Sequence, residues 1–585
     1  MWANYRQKYN ISVPCPLDGD DSIPFWYDKI GSLAHEWAEW GITDVLFPQP
    51  LKTNAGHFPG ADGYGVYDDY DIGSKNTGQF GGVPTRFGYA DQLRRAVAIC
   101  HANGLNVLID HVMHQRMGGH NGVYRYDSAT QKGLGRFPKD PPCFRGAPPR
   151  VPEDPVPSPQ DDFAFGDQLC PINGKPDNYV AHGLIDAGDW LFRTLDADGA
   201  RLDDMKGMNV GFMKRFMSSG AMTGKWFFGE FASGSRDSWW GGLGTNWWVE
   251  QVHGLASAAD FDYHYHVAMP LCNQGGTFNM SSLAGRGMIG NNPMKAVPFV
   301  ESMDSDVNGF ATVVFNKELG YAHLLGGEGL PCIYYRDWAM EPNCYGLKHQ
   351  IENLCWCAHT LAGGPTIPRP TDNPRVFAFE RIGSPGLLVV LSNDIWNPEW
   401  STVTVQTASF GAHTQLHDFN GHNQQNAWTD ANGRVTLGVP PAGNGKGYGM
   451  WSRAEYQGRM VQQRPPRATS QDFNGADDLD IAPLFGTVPQ KVGRVWAEEG
   501  TELSLRMMTH DGKPPDFPVQ MMIKSPDGSE LAAGRSDHVY DHTVKRGWHE
   551  LWARSYDTSA TARIPFRLNV YYTAPQHLRS DEWGL

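Results

Sequence analysis

Gly199-Ala200-Arg201-Leu202-Asp203-Asp204-Met205-Lys206-Gly207 is the stretch on which the fold reading turns. An apolar run reaches an arginine, and acidic side chains stand where the run stops. Side chains alternate along a strand, so Arg201 and Asp203 point to the same side. A guanidinium there can orient the carboxylate through charge-assisted hydrogen bonds and hold it ionised. Three other runs end the same way: Trp226-Phe227-Phe228-Gly229 in Glu230, Val297 to Met303 in Asp304, and Asn106-Val107-Leu108-Ile109 in Asp110. Parallel strands that present carboxylates at their C-terminal ends are how a (β/α)8 barrel builds an active site.

Working outward, strands are expected near residues 9–14, 42–47, 106–110, 199–204, 226–230, 258–262, 297–301 and 330–335. Helical patterns lie between several of them. In Tyr89 to His101, Leu93, Ala96, Val97 and Cys100 recur at three- and four-residue spacing, and Asn103-Gly104 ends the run. Alternating strands and helices imply a parallel sheet. Residues 115–180 break the rhythm with a polar, proline-crowded excursion, and a long loop inside a compact domain is usually functional. From 371 to 455 the pattern is β-like. The linker Arg464-Pro465-Pro466-Arg467 leads to more strand-and-turn sequence, read as a second sandwich over 465–585. There, Trp496, Trp548 and Trp552 either form a carbohydrate-stacking platform or fill the sandwich core.

Composition narrows the function. A chain of 585 residues needs several cores. A net charge of -15 argues against nucleic acid as the main partner, since a phosphate backbone requires a basic face. No run of 18 apolar residues exists, so no membrane span is expected. Nine scattered cysteines without a C-x-x-C framework read as buried free thiols in a reducing compartment. The polar start Met1 to Lys8 lacks a signal-peptide core, which points to the cytoplasm.

Taken in order, the motifs resemble the α-amylase family of glycoside hydrolases (family 13), and the bacterial liquefying type most of all. Gly41 to Pro50 resembles that family's second strand, and Gly63-Tyr64-Gly65-Val66-Tyr67-Asp68-Asp69-Tyr70-Asp71-Ile72-Gly73 the loop after it. Asp110 falls in the third-strand motif, Arg201-Leu202-Asp203 in the fourth, Gly229-Glu230 in the fifth, Phe299 to Asp304 in the seventh and Gly329 to Tyr335 in the eighth. The resemblance implies a (β/α)8 TIM barrel over 1–370 with 115–180 inserted as domain B. Antiparallel β-sandwich domains follow, with domain C at 371–455 and a further one at 465–585.

The implied chemistry is retaining hydrolysis of α-1,4-glucosidic bonds within an α-glucan, by two carboxyl groups about 5 Å apart across the sugar. Asp203 is the implied nucleophile and Glu230 the acid/base, its pKa raised by the apolar run before it. Asp304 grips the distorted sugar. Tyr64, Asp110, Gln115, Arg201, Lys206 and Met303 are the implied substrate-binding residues. Two other readings stay open: transfer of the glycosyl group to another sugar, and a glucan-binding protein with weak or lost catalysis.

This chain departs from the family pattern at its histidines. In Asp110-His111-Val112-Met113-His114-Gln115, keeping the strand register puts His114 at an Asn position and Gln115 at a His position. A one-residue deletion would instead make His114 the sugar-binding His. Ser302-Met303 replace Asn-His, and Gly207 replaces the His after Lys206. Met303 cannot donate a hydrogen bond to a sugar; were the pocket rebuilt around it, His111 or His264 would be the candidate donors. No cofactor is required by the resemblance. The family's structural calcium is expected to be absent, because His114 offers nitrogen where calcium wants oxygen. Asp161, Asp162 and Asp167 are the carboxylates that could compensate.

Overall fold

The computed structural model describes residues 1–3, 12–75, 82–119, 122–124, 136–158, 166–238, 242–306, 311–443, 446–477, 479–515, 518–535, 540–555 and 563–585. By internal contacts the chain forms two compact units. One comprises Ser12–Ala38, Thr43–Phe227 and Arg464–Leu585; the other comprises Met1–Ile11, Glu39–Ile42 and Phe228–Gln463.

In the first unit, parallel strands β1 (Asp44–Phe47), β2 (Asn106–His111) and β3 (Gly199–Leu202) lie side by side. Their residues are almost wholly buried, as expected of a parallel sheet with both faces covered. Helices α1 (Trp26–Glu39), α2 (Ala90–Ala102) and α3 (Tyr179–Leu195) alternate with them. The excursion between β2 and α3 holds little regular structure: a short ladder pairs Gln115 with Gln168 and Arg116 with Asp167. β4 (Trp226–Gly229) carries the chain into the second unit, where it pairs in parallel with β5 (Ser257–Asp260), which pairs with β6 (Ala296–Pro298).

The expected first and eighth strands are not formed as drawn. Residues 9–11 lie outside the described residues, and 12–14 are irregular. Over 330–335 there are only single parallel bridges, Phe299 to Cys332 and Trp2 to Tyr334, with Trp2 N–H donating to Ile333 O at 2.7 Å. The N-terminal tryptophan therefore stands where a first strand was expected. Its indole is buried and packs edge-on to Phe228 and Phe299.

Antiparallel sandwiches follow in both units. Residues 366–453 form a six-stranded sheet and a two-stranded ladder, whose facing rows include Val376, Leu388, Val390, Val403, Val405, Val435, Leu437 and Trp451. The last domain is two four-stranded sheets built from Thr469–Gly475 onward. It covers the outer side of α2, so that helix is buried all round rather than on one stripe. Arg94 donates to Asp472 O at 3.0 Å and Arg95 pairs with Asp28 at 2.9 Å, both members of that pair being 1 % exposed. Trp496 and Trp548 are cross-strand neighbours. The Arg95 guanidinium lies 4.8 Å from the Trp548 ring and that of Arg546 lies 4.8 Å from Trp496. These rings are covered by cations where the sandwich meets the barrel helices, so they are no open sugar platform. The Trp552 ring is likewise capped, by Lys524 at 4.0 Å.

Candidate active site

β3 delivers the central cluster. Arg201 is 1 % exposed, and its Nη1 donates to Asp203 Oδ1 at 2.7 Å and to Asp110 Oδ1 at 2.8 Å. Asp110 and Arg201 are register partners across β2 and β3, which places one carboxylate beside the guanidinium; strand periodicity places the other. Tyr64, from the loop after β1, donates its hydroxyl to Asp110 Oδ2 at 2.5 Å, and its ring centroid lies 5.8 Å from the guanidinium. Four of the expected site residues, Tyr64, Asp110, Arg201 and Asp203, thus form one hydrogen-bonded cluster. Asp110 is fully buried, with one carboxylate oxygen accepting from Arg201 and the other from Tyr64. Arg201 is equally buried, between the two carboxylates.

The altered third- and fourth-strand motifs meet in space. His114 Nδ1 lies 2.9 Å from Asp204 Oδ2, and a Cβ on Gly207 would fall 2.5 Å from His114 Nε2. His114 is therefore committed to Asp204 and to the surface of Gly207. Gln115 is 4 % exposed, and its amide donates to the Tyr64 carbonyl at 3.4 Å, which supports the stacking loop from behind. Lys206, half-buried, follows in the turn after β3. His111 points the other way. Its ring stacks on Phe216 at 5.4 Å, and burial pushes its pKa down to about 4.

In the second unit, Glu230 is half-buried at the end of β4. Gly229 precedes it because the Trp248 indole lies 2.3 Å from where a Cβ would sit. Asp304 is half-buried on the loop after β6, whereas Met303 is 1 % exposed. The thioether is buried within that loop. His264 cannot replace it as a donor. Its ring nitrogens face the carbonyls of Val300 at 2.8 Å and Ala311 at 2.9 Å, and burial lowers its pKa to about 4.

A buried ion network that sequence reading missed holds the Asp304 loop. Lys317 Nζ contacts Glu301 at 3.1 Å and Asp337 at 2.7 Å, and Glu301 also accepts from Val313 N–H at 2.9 Å and from the Ser305 hydroxyl. Asp306 pairs with Arg336 and accepts from Tyr345 at 2.9 Å. The loop is thus tied on both sides of Asp304. Burial, with Glu301 nearby, raises the Asp337 pKa to about 6. The available signal was Glu301 within an apolar run, a carboxylate that must find a cation if buried.

A second missed network ties the excursion to the Tyr64 loop. Asp69, 3 % exposed, is flanked by Arg116 and Lys139, and these cations hold its carboxyl far below the usual range despite burial. Among the described residues, the donors expected near a calcium ion are engaged with other partners. His114 is a nitrogen donor facing Asp204. Asp154 spends both oxygens on the N–H groups of Ile172 and Asn173, and Asp167 accepts from Arg150 and Tyr124. Asp161 and Asp162 lie outside the described residues. Among the described residues no group of three or more His, Cys, Asp or Glu is placed to hold a metal. Nor is any helix there long and apolar enough to cross a membrane.

No family model matches the chain. It is 25 % identical over 502 residues to an α-amylase of Geobacillus stearothermophilus, spanning 73 % of this chain and 83 % of that one. It is 24 % identical over 498 residues to the cytoplasmic α-amylase of Escherichia coli, spanning 71 % and 94 %. Among solved structures, the Geobacillus thermoleovorans α-amylase complexed with acarbose superposes with a TM-score of 0.55 at 15 % identity, covering 78 % of this chain and 98 % of that one. The γ-CGTase of alkalophilic Bacillus clarkii superposes with 0.53 at 18 %, covering 88 % and 76 %. These superpositions establish a (β/α)8 barrel followed by antiparallel sandwiches. In the order of its motifs and in these long matches, the chain is similar to the α-amylase family of glycoside hydrolases.

Proposed function

We propose that this protein hydrolyses internal α-1,4-glucosidic bonds of an α-glucan with retention of configuration. The observation that carries the reading is the cluster in which Arg201 donates to Asp203 and Asp110 while Tyr64 rests on Asp110. It supplies an oriented carboxylate at a strand end beside a half-buried aromatic face, which suits attack on a sugar stacked there. In this reading Asp203 attacks the anomeric carbon while Glu230 protonates the departing glycosidic oxygen. Water then adds to the glycosyl–enzyme bond as Glu230 takes its proton, and two inversions retain the anomer. Asp304, braced by the Glu301–Lys317–Asp337 network, binds hydroxyls of the distorted sugar. Lys206 lines the product side.

The test is an NMR time course and product analysis on soluble starch, maltooligosaccharides and pullulan. Internal cleavage of starch with α-anomers appearing first is expected. Initial β-anomers, or no turnover, would overturn the reading; products longer than the substrate would replace hydrolysis by transfer. We also place the protein in a reducing compartment, supported by the burial of eight of its nine cysteines and by the lack of a C-x-x-C framework. Alkylation of fewer than nine thiols after denaturation without reductant would count against it.

A further inference from the structure

A groove of about 890 Å3 opens in the second unit, outside the cluster of reacting carboxylates. This is within the ~300–1,000 Å3 typical of small-ligand sites. Trp40, Trp356 and Phe419 line it, with Glu39, Met460 and Gln463. Trp356 stacks on Phe419 with ring centroids 5.2 Å apart and planes 28° apart, and its indole N–H donates to Arg459 O at 2.8 Å. These contacts fix two of the aromatic walls from behind. Among the described residues, none is a polar partner to the side chains of Glu39, Trp40 and Gln463. The groove therefore combines a rigid aromatic wall with an uncommitted carboxylate and an uncommitted amide.

We propose that this groove binds pyranose rings of an α-glucan without cleaving them. The ligand class follows from the lining. Aromatic faces receive the C–H face of a sugar ring, while a carboxylate and an amide accept and donate to its hydroxyls. Glu39 and Arg459 give the lining one carboxylate and one guanidinium, so it selects for neither an anion nor a cation and suits a neutral sugar. Trp40 lies on the segment leading into the N-terminal end of β1, whereas barrel chemistry is carried at strand C-terminal ends. The groove is therefore a holding site for polymer, separate from turnover. The choice of glucan as the sugar rests on the function proposed above.

The test uses the full chain carrying Asp203→Asn, run in native gels with and without glycogen, and titrated with maltoheptaose by tryptophan fluorescence. Adding Trp40→Ala should weaken retention by glycogen about tenfold, the size of losing one stacking contact. Trp40→Tyr should restore most of it. Glu39→Gln with Gln463→Ala, which leaves the aromatic wall intact, should weaken retention by a smaller factor and keeps the question answerable should Trp40→Ala fold poorly. Glycogen retention that none of these changes alters, or no retention at all, would overturn the inference. If the parent hydrolyses no α-glucan while retention still depends on Trp40, the activity reading fails and this one stands. Hydrolysis with Trp40-independent retention sinks this one alone.

Discussion

The imidazole of His114 occupies the space that a side chain on Gly207 would need, with Nε2 2.5 Å from the position of its Cβ. Two departures from the family pattern, one on the third strand and one on the fourth, are therefore a single exchange. His114 moves in, pairs with Asp204, and position 207 must be glycine. Gly207→Ala should cost about 1–3 kcal/mol, the usual penalty for overpacking. The double variant His114→Ala/Gly207→Ala should recover part of that loss, as coupled neighbours do. Urea denaturation of the four members of the cycle checks it; strictly additive effects would mean the two residues are not coupled.

Asp203→Asn should lower turnover by at least about three orders of magnitude, because an amide cannot form the glycosyl–enzyme bond. Arg201 keeps an oxygen acceptor at the same position, so the melting temperature should change little. Retention of activity within tenfold of the parent would remove Asp203 as the nucleophile.

His111, His264 and His323 are all pushed down by burial to about 4 from an ordinary 6.5. As pH falls from 6.5 towards 4, the unfolded chain takes up protons that the folded chain does not. Stability should therefore decline across that window and be independent of these groups above it. Neither ring nitrogen of His111 has a partner among the described residues. His111→Phe should stabilise the protein and reduce the acid slope by about one proton, or about 1.4 kcal/mol per pH unit. Denaturation midpoints between pH 4 and 7 measure both, and an unchanged slope would refute the assignment.

Lys139→Met leaves Asp69 buried with only Arg116 beside it. Breaking a buried ion cluster on one side costs about 3–5 kcal/mol. A loss of unfolding free energy of that size is expected in urea denaturation, with loosening of the excursion detected by limited proteolysis. EDTA should leave the parent's melting temperature unchanged. A drop in EDTA that calcium reverses would show that metal, and not Lys139, secures this region.

The barrel was legible because its evidence is local. Period-two alternation set Arg201 and Asp203 on one side, the apolar runs marked the strands, and three- and four-residue spacing marked α2. The acidic strand ends and their order along the chain were enough to reach the family. What the sequence could not determine were relationships between residues far apart in the chain. That Gly207 answers His114, that Asp110 is spent on Arg201 and Tyr64, and that Lys317 braces the Asp304 loop all depend on which strand ends and loops become neighbours. The same holds for Trp496 and Trp548, whose faces read as exposed or buried only once α2 and its arginines are packed against them. Periodicity reports which side of an element is apolar; it carries no information on what covers that side, and burial decides whether a charged or aromatic side chain binds a ligand or holds the fold.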